Sequence, residues 1–407
     1  MNIIYLHQYF STPAMSSGTR SFEMARRLVG KGHKVYVLSS NHARTHNKQS
    51  GFSKEKGIHV WWLPVKYSNN MSYPRRVLAF LAYCYLAVVQ GRKLRYDLVF
   101  ATSTPLTVAI PGILLAKLKK SPFVLEVRDL WPELPVAIGA LKSRFSIWLA
   151  KLLEKWSYNN ANHIIGLSPA MCQAIANFGQ DPGKISNIPN GCDIDLFNID
   201  PERGRKFRDK TRWLLSNPLV IYTGALGRIN QVDYLVKIAQ YMAELSPQVR
   251  FLIIGTGFEE KNISDRAVKL GVLNKNLFMV GELPKNKLPT IYSAATVCTS
   301  LFMPIPEMEA NSANKFFDGL AAGKPIMINY GGWQAELLEQ NNAGIVVPPD
   351  DPATAVQQLN IFINDKDRLR RAGAAALRLA KTNFDRDKLY QSFEHILLST
   401  ADYGTGN

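Results

Sequence analysis

The chain has 407 residues, 46% hydrophobic and 20% charged, a composition that excludes a disordered polypeptide and calls for two or three separate cores. No apolar run reaches the roughly 18–20 residues that span a bilayer. Four scattered cysteines without a Cys-x-x-Cys pair exclude a disulfide framework or a zinc site and fit a reducing, cytoplasmic compartment. The net charge of +17 is lopsided: residues 1–195 hold 24 Lys/Arg against 10 Asp/Glu, a balance of +14, while residues 196–407 hold 25 against 22, a balance of +3. The first half therefore suits a negative partner, whether nucleic acid, an anionic membrane or a phosphorylated substrate, unless the charge serves solubility alone. No helix-turn-helix, zinc-finger or RNA-binding signature accompanies it, so no nucleic acid partner is expected.

The opening MNIIYLHQYF reads as a strand and not as a secretory signal. Strands are predicted at 2–7, 34–40, 58–64, 97–103, 122–128 and 163–168, with longer helical stretches between them. The polar segment 197–217 interrupts the series, which restarts at 218–224, 249–255, 277–282, 295–301, 324–329 and 343–348. Most of these runs are continuously apolar, as parallel strands buried on both faces require. The predicted fold is α/β, with two Rossmann-like, doubly wound parallel-sheet domains over 1–195 and 196–384. A last helix, about 385–407, is free to return to the first domain. Ligands in such sheets sit beyond the carboxyl ends of the strands, so the site is expected in a cleft between two facing domains.

Candidate chemistry clusters at those strand ends. Gly18 precedes a helix whose free amides suit phosphate, and Arg20 follows it; a plain turn explains the glycine equally well. Arg128, Asp129, Trp131 and Glu133 gather after the strand at 122–128, either for ligand contact or as the cap of a helix with Pro132 at its start. Asn190-Gly191 is a turn signal. Arg228 lies among glycines after the strand at 218–224, where a guanidinium can fork onto phosphate or simply face solvent. The backbone of Gly281 to Leu283 can meet a base edge. In SLFMPIPEMEANSANKFFDGLAAGKPIMIN, a helix is predicted to start near Ser312 with Lys315 in its first turn, where the dipole disfavours a cation unless an anion is bound. Asp318 shares its face, so the two serve one nucleotide or form a surface pair.

Two stretches of the first half are basic and apolar. YPRRVLAFLAYCYLAVVQGRKLR (73–95) and LKSRFSIWLAKLLEKWSYNN (141–160) read as amphipathic helices that pack on the sheet or lie on an anionic membrane.

NIPNGCDIDLF, GELPKNKLPTIYSAATV and SANKFFDGLAAGKPIMI, in this order and at these distances, resemble family 4 retaining glycosyltransferases of the GT-B fold. The opening, with Gly18 and ARRLVGKGHKVYVLS, resembles that family's first strand, glycine loop and helix. EVRDLWPELPVAIGAL resembles a narrower branch, the bacterial L-fucosaminyltransferase-like enzymes of O-antigen and capsule biosynthesis. The resemblance covers nearly the whole chain. It implies a UDP-sugar held mainly by the second domain, a lipid-diphosphate-linked saccharide acceptor and transfer with retention, at the cytoplasmic, inner face of a membrane. Carried over by position, Gly281, Glu282 and Leu283 contact the base and Asp318 the ribose. Arg228 and Lys315 hold the diphosphate, with an amide from Gly18 of the opposite domain. The sugar meets the loop from Glu307 to Ser312, which brings Glu309, Asn311, Ser312 and Asn314 into the donor set. Arg20, Arg128, Asp129 and Trp131 line the acceptor side, and Arg228, Lys315 and Asp129 are the catalytic candidates.

The chain departs from the family twice. In the signature Glu, seven residues, Glu, the first position is Ala310 and the second Asp318, with Glu307 and Glu309 out of register. Many members also carry Arg after the glycine matching Gly224 and Lys five residues further on, where this chain has Ala225 and Asn230. With cations in place for the departing diphosphate, no metal or other cofactor is expected, and Asp193-x-Asp195 reads as a chance spelling in the linker. A catalytically inactive sugar-nucleotide-binding subunit and a UDP-sugar epimerase of the same fold are the alternatives.

Overall fold

A computed structural model of the chain describes residues 1–15, 18–41, 51–67 and 71–405. It divides into two compact units, Met1–Pro189 with Asp387–Asn407, and Asn190–Arg386.

The first unit is built on eight strands: β1 Asn2–Leu6, β2 Lys34–Ser40, β3 Gly51–Glu55, β4 Ile58–Leu63, β5 Leu98–Thr102, β6 Phe123–Val127, β7 His163–Gly166 and β8 Ile185–Asn187. Their order across the sheet is β3-β4-β2-β1-β5-β6-β7-β8. All neighbours are parallel except β3, which runs antiparallel to β4 from Gly51 opposite Trp62 to Glu55 opposite Ile58. The central strands β1, β5 and β6 are nearly all buried apolar side chains, because helices cover both faces. β3 has no place among the predicted strands: GFSKE carries one large apolar residue, and an edge strand with mostly solvated side chains needs no more.

Helices α1 Arg20–Gly30, α2 Tyr73–Gly91, α3 Ala109–Lys119, α4 Glu133–Ala137, α5 Arg144–Asn160 and α6 Pro169–Asn177 connect the strands. One face of the sheet packs on α1 and on the C-terminal helix Arg386–Thr405, whose Tyr390, Phe393 and Leu397 join Ile3, Tyr5 and Phe100 in a single core. The other face packs on α2, α3, α5 and α6 through residues such as Tyr83, Ile113, Tyr158 and Ile175.

The second unit has six strands, all parallel: β9 Leu219–Thr223, β10 Arg250–Ile254, β11 Leu277–Val280, β12 Val297–Ser300, β13 Ile326–Ile328 and β14 Gly344–Val346, in the order β11-β10-β9-β12-β13-β14. The unit begins at Asn190 and not at 196, since Asn190 is already tied to Ser312 by two hydrogen bonds. Among the described residues, no helix is long and apolar enough to cross a membrane.

Candidate active site

In the second unit, the loops after β9 and β10 touch. Gly224 and Gly255 adopt φ of 143° and 149°, and a Cβ on Gly255 would lie 1.8 Å from the Gly224 carbonyl oxygen, so only glycine allows the approach. Against this turn lies Lys315, the second residue of the helix Asn314–Ala321. Its Nζ donates to the Tyr222 hydroxyl at 3.0 Å, which donates in turn to the Ala225 carbonyl at 2.8 Å. The ammonium sits 4.5 and 4.7 Å from the ring centroids of Tyr222 and Phe302. With the Asn230 amide turned to satisfy both its ends, its oxygen accepts from the same ammonium at 3.3 Å. Burial pulls Lys315 down to about 7. A cation in an aromatic box, at a helix N-terminus and with no carboxylate beside it among the described residues, is completed electrostatically by an anion.

One turn along, Asp318 is buried and faces elsewhere, so the two do not form a surface pair. Among the described residues its Oδ1 has no hydrogen-bond partner, and it lies 3.6 Å from Lys285 Nζ. Lys285 Nζ is also 4.0 Å from Asp193 Oδ2, and Asp193 Oδ1 accepts from Arg386 Nε at 2.8 Å. The fully buried Arg386 also donates to the Gly191 carbonyl at 2.7 Å. Burial raises the Asp318 carboxyl above its ordinary range, with Lys285 opposing. The hydroxyls of Thr223 and Tyr292 share a hydrogen bond at 2.5 Å.

The loop before that helix contains a short helical turn, Pro306–Glu309. The predicted start near Ser312 falls within this loop, since Asn311 and Ser312 spend their polar groups bracing it. Asn311 Nδ2 donates to the Met308 carbonyl at 2.5 Å, and its own carbonyl accepts from Trp333 Nε1 at 2.9 Å. Ser312 Oγ accepts from the Asn190 amide at 3.0 Å, and its carbonyl accepts from Asn190 Nδ2 at 2.5 Å. Glu309 is exposed and its backbone presses on Gly332, where a Cβ would lie 2.6 Å from the Glu309 carbonyl oxygen. Asn314 opens the helix, half-buried. Gly281 is exposed just past β11, with Glu282 and Leu283 half-buried after it. Arg228 is exposed over the Phe258 ring, with Nε 3.4 Å from Glu259 Oε1.

In the first unit, the ends of β1, β5 and β6 bring His7, Ser103 and Arg128 together. The Arg128 amide donates to Ser103 Oγ at 2.9 Å, and its Nη1 lies 3.4 Å from His7 Nε2. Burial raises the Asp129 carboxyl, with Arg128 opposing. Trp131 is half-buried against the core. Gly18 is exposed two residues before α1. Arg20, expected on the acceptor side, is corrected to an interior role. Its side chain is fully buried, with Nε and Nη2 on Glu126 Oε2 at 3.0 and 2.8 Å, Nη1 on the Pro189 carbonyl at 2.7 Å and Nη2 on that of Ile188 at 2.9 Å. A buried glutamate in a strand needs such a partner, and α1 supplies it.

Residues 17–191 match the family described as glycosyl transferase 4-like domain, and residues 204–378 match glycosyl transferases group 1. Residues 204–378 thus belong to the group 1 glycosyltransferases and residues 17–191 to the glycosyl transferase 4-like domains. The chain's two Rossmann-like units make this glycosyltransferase a GT-B fold. It is similar in fold to sucrose-phosphate synthase from Thermosynechococcus elongatus, with TM-score 0.82 and 16% identity over 99% of each chain. It is similar also to Anabaena HepE in complex with UDP-glucose, with TM-score 0.74 and 19% identity over 98% of this chain and 100% of that one. In sequence it is 23% identical to D-inositol 3-phosphate glycosyltransferase of Nocardia farcinica over 50% of this chain and 45% of that protein. The glycosyltransferase spans about half the length of the curated relatives it matches.

Sequence reasoning missed His7, Tyr222 and Lys285 in the glycosyltransferase. His7 is the first polar residue after the apolar run of β1, and Tyr222 passes for one more β-former in β9. Lys285 lies in PKNK, a basic run indistinguishable locally from a solvated turn.

Proposed function

We propose that this glycosyltransferase moves a sugar, with retention, from a UDP-sugar to a lipid-diphosphate-linked saccharide at the inner face of the cytoplasmic membrane. The observation that carries this reading is the pair on one helix: Lys315, a cation lacking a carboxylate, and Asp318, a carboxylate with an unbonded buried oxygen. A nucleoside diphosphate supplies what both lack, phosphate oxygens for Lys315 and ribose hydroxyls for Asp318. Gly281, Glu282 and Leu283 take the base edge, and Glu309, Asn311, Ser312 and Asn314 frame the sugar. Arg128, Asp129 and Trp131 take the acceptor.

In the reaction, the bond between the anomeric carbon and the β-phosphate oxygen breaks as the acceptor oxygen bonds to the same carbon from the same face. The acceptor proton passes to a phosphate oxygen. Lys315 and the amides of its helix hold the charge that grows on the diphosphate, with Arg228 swinging from Glu259 to join them. The narrower sequence resemblance favours N-acetyl-L-fucosamine or a related amino sugar as donor, and O-antigen or capsule assembly as the setting.

Screening UDP-sugars by mass spectrometry with a lipid-diphosphate-linked monosaccharide tests the reading. Transfer by wild type and its loss in Lys315→Ala at saturating donor support it; near-full transfer by the variant refutes it. Ala310 at the family's first glutamate position favours a second reading, a sugar-nucleotide-binding subunit without turnover. Tight UDP binding with neither transfer nor hydrolysis distinguishes it, and conversion of a UDP-sugar alone reveals an epimerase.

A further inference from the structure

Helices α2, α3 and α5 pack side by side on one face of the first sheet, with α3 touching both others. Each buries one stripe and leaves a second apolar stripe uncovered. On α2, Ala79, Tyr83 and Ala87 face the core, while Leu78, Leu81 and Tyr85, at helical spacing, point outward. On α3 the outward pair is Leu114 and Leu118. On α5, Ala150, Glu154 and Tyr158 are buried, and Phe145, Trp148, Leu149, Leu152 and Trp156 are exposed. Exposure is large where a solitary surface residue would not explain it: 66% for Leu78, 65% for Phe145 and 55% for Trp148. The expected packing of these stretches on the sheet accounts for the buried stripe of each helix and not for the outward one.

The charge on this face has one sign. Arg75, Lys117, Lys119, Arg144, Lys151 and Lys155 stand on the three helices, against a single acidic residue, Glu154. Glu154 is buried, and burial with Glu133 nearby pushes its carboxyl up to about 8, so it subtracts little from the positive field at neutral pH. α2 and α5 each end shortly before a parallel strand begins, β5 at Leu98 and β7 at His163. Their first two turns, with Leu78, Phe145 and Trp148, therefore lie toward the carboxyl edge of the sheet, where Arg128 and Asp129 also stand.

We propose that the outward face of α2, α3 and α5 docks on an anionic lipid bilayer, with the apolar stripes in the headgroup–acyl boundary and the lysines and arginines on phosphate. The proposal deepens the reading of a lipid-linked acceptor, and it does not depend on turnover. A bilayer fits better than a second copy of the chain, because a two-fold contact would set the basic rim against itself. It fits better than nucleic acid, because the centre of the face is aliphatic and aromatic and not a row of donors.

The test is co-sedimentation of the full chain with phosphatidylglycerol-containing vesicles and with neutral phosphatidylcholine vesicles. It is run for wild type, Phe145→Ser/Trp148→Ser and Lys151→Glu/Lys155→Glu. These side chains are exposed, so folding is unaffected, and circular dichroism verifies that. Wild type is expected to bind the anionic vesicles and lose binding in high salt, and each variant to bind about tenfold more weakly. UDP binding, and any transfer to a short-chain water-soluble acceptor, are expected to stay at wild-type level in the variants. Equal binding of wild type and variants, equal binding to neutral vesicles, or a wild-type dimer that Phe145→Ser/Trp148→Ser dissolves would overturn the proposal. Failure of transfer with vesicle binding intact would count against the enzymatic reading and leave the docking face standing.

Discussion

The ammonium of Lys315 rests 3.0 Å from the hydroxyl of Tyr222, a residue 93 positions away, and among the described residues no carboxylate shares the box formed by Tyr222 and Phe302. A lysine so placed is costly in the empty protein and favourable once an anion arrives. Lys315→Ala is expected to lower turnover about 10²–10³-fold, the range for removing one preorganised group that stabilises transition-state charge. Steady-state kinetics with saturating donor measures it.

The same burial makes donor affinity pH-dependent. Lys315 stands at about 7 in the free protein, and a diphosphate binds the protonated form and raises that value. The dissociation constant for UDP should be flat below about pH 6.5 and rise toward tenfold per unit above pH 7. Calorimetric titration between pH 6 and 9 checks this, and Lys315→Met should flatten the rise.

Asp318 Oδ1 accepts no hydrogen bond and has Lys285 Nζ 3.6 Å away. If it receives a ribose hydroxyl, wild type should prefer UDP over 2′-deoxy-UDP or 3′-deoxy-UDP by about 1–3 kcal/mol, and Asp318→Asn should lose most of that preference. Competition binding with the three nucleotides reads it directly.

Asn190 holds the 307–313 loop by bonding both Ser312 Oγ and the Ser312 carbonyl. Asn190→Ala removes its side-chain bond, a buried one worth about 1–3 kcal/mol. The expected signature is a raised KM for the donor sugar with UDP affinity nearly unchanged, since the loop is assigned to the sugar and the nucleotide is held by the helix behind it.

Arg20→Ala should act on stability and not on the acceptor. It strands Glu126, whose ionised form is held by Arg20 and by Thr102 Oγ1 at 2.7 Å, and should cost the first unit about 3–5 kcal/mol. Arg20→Met/Glu126→Leu should recover most of the loss. Urea denaturation monitored in the first unit, alongside acceptor KM, separates the two roles.

The alternation of apolar runs and helical stretches was enough to read two parallel-sheet units, because strand and helix signals are local and repeat with a period. The twelve predicted strands all appear, 34–40 with unchanged bounds and the others slightly shorter, while β3, solvated and nearly devoid of apolar residues, carries no such signal. Lys315 was also legible, as a cation where a helix dipole opposes one. What only tertiary structure decided are pairings across the fold. Arg20, expected on the acceptor side, instead meets Glu126, 106 residues away, in the core. Lys285 acquired meaning from Asp318 and Asp193, and Tyr222 from Lys315. Such contacts depend on which strand ends lie side by side, and that order is set by packing of whole elements, which leaves no periodic trace around any one residue.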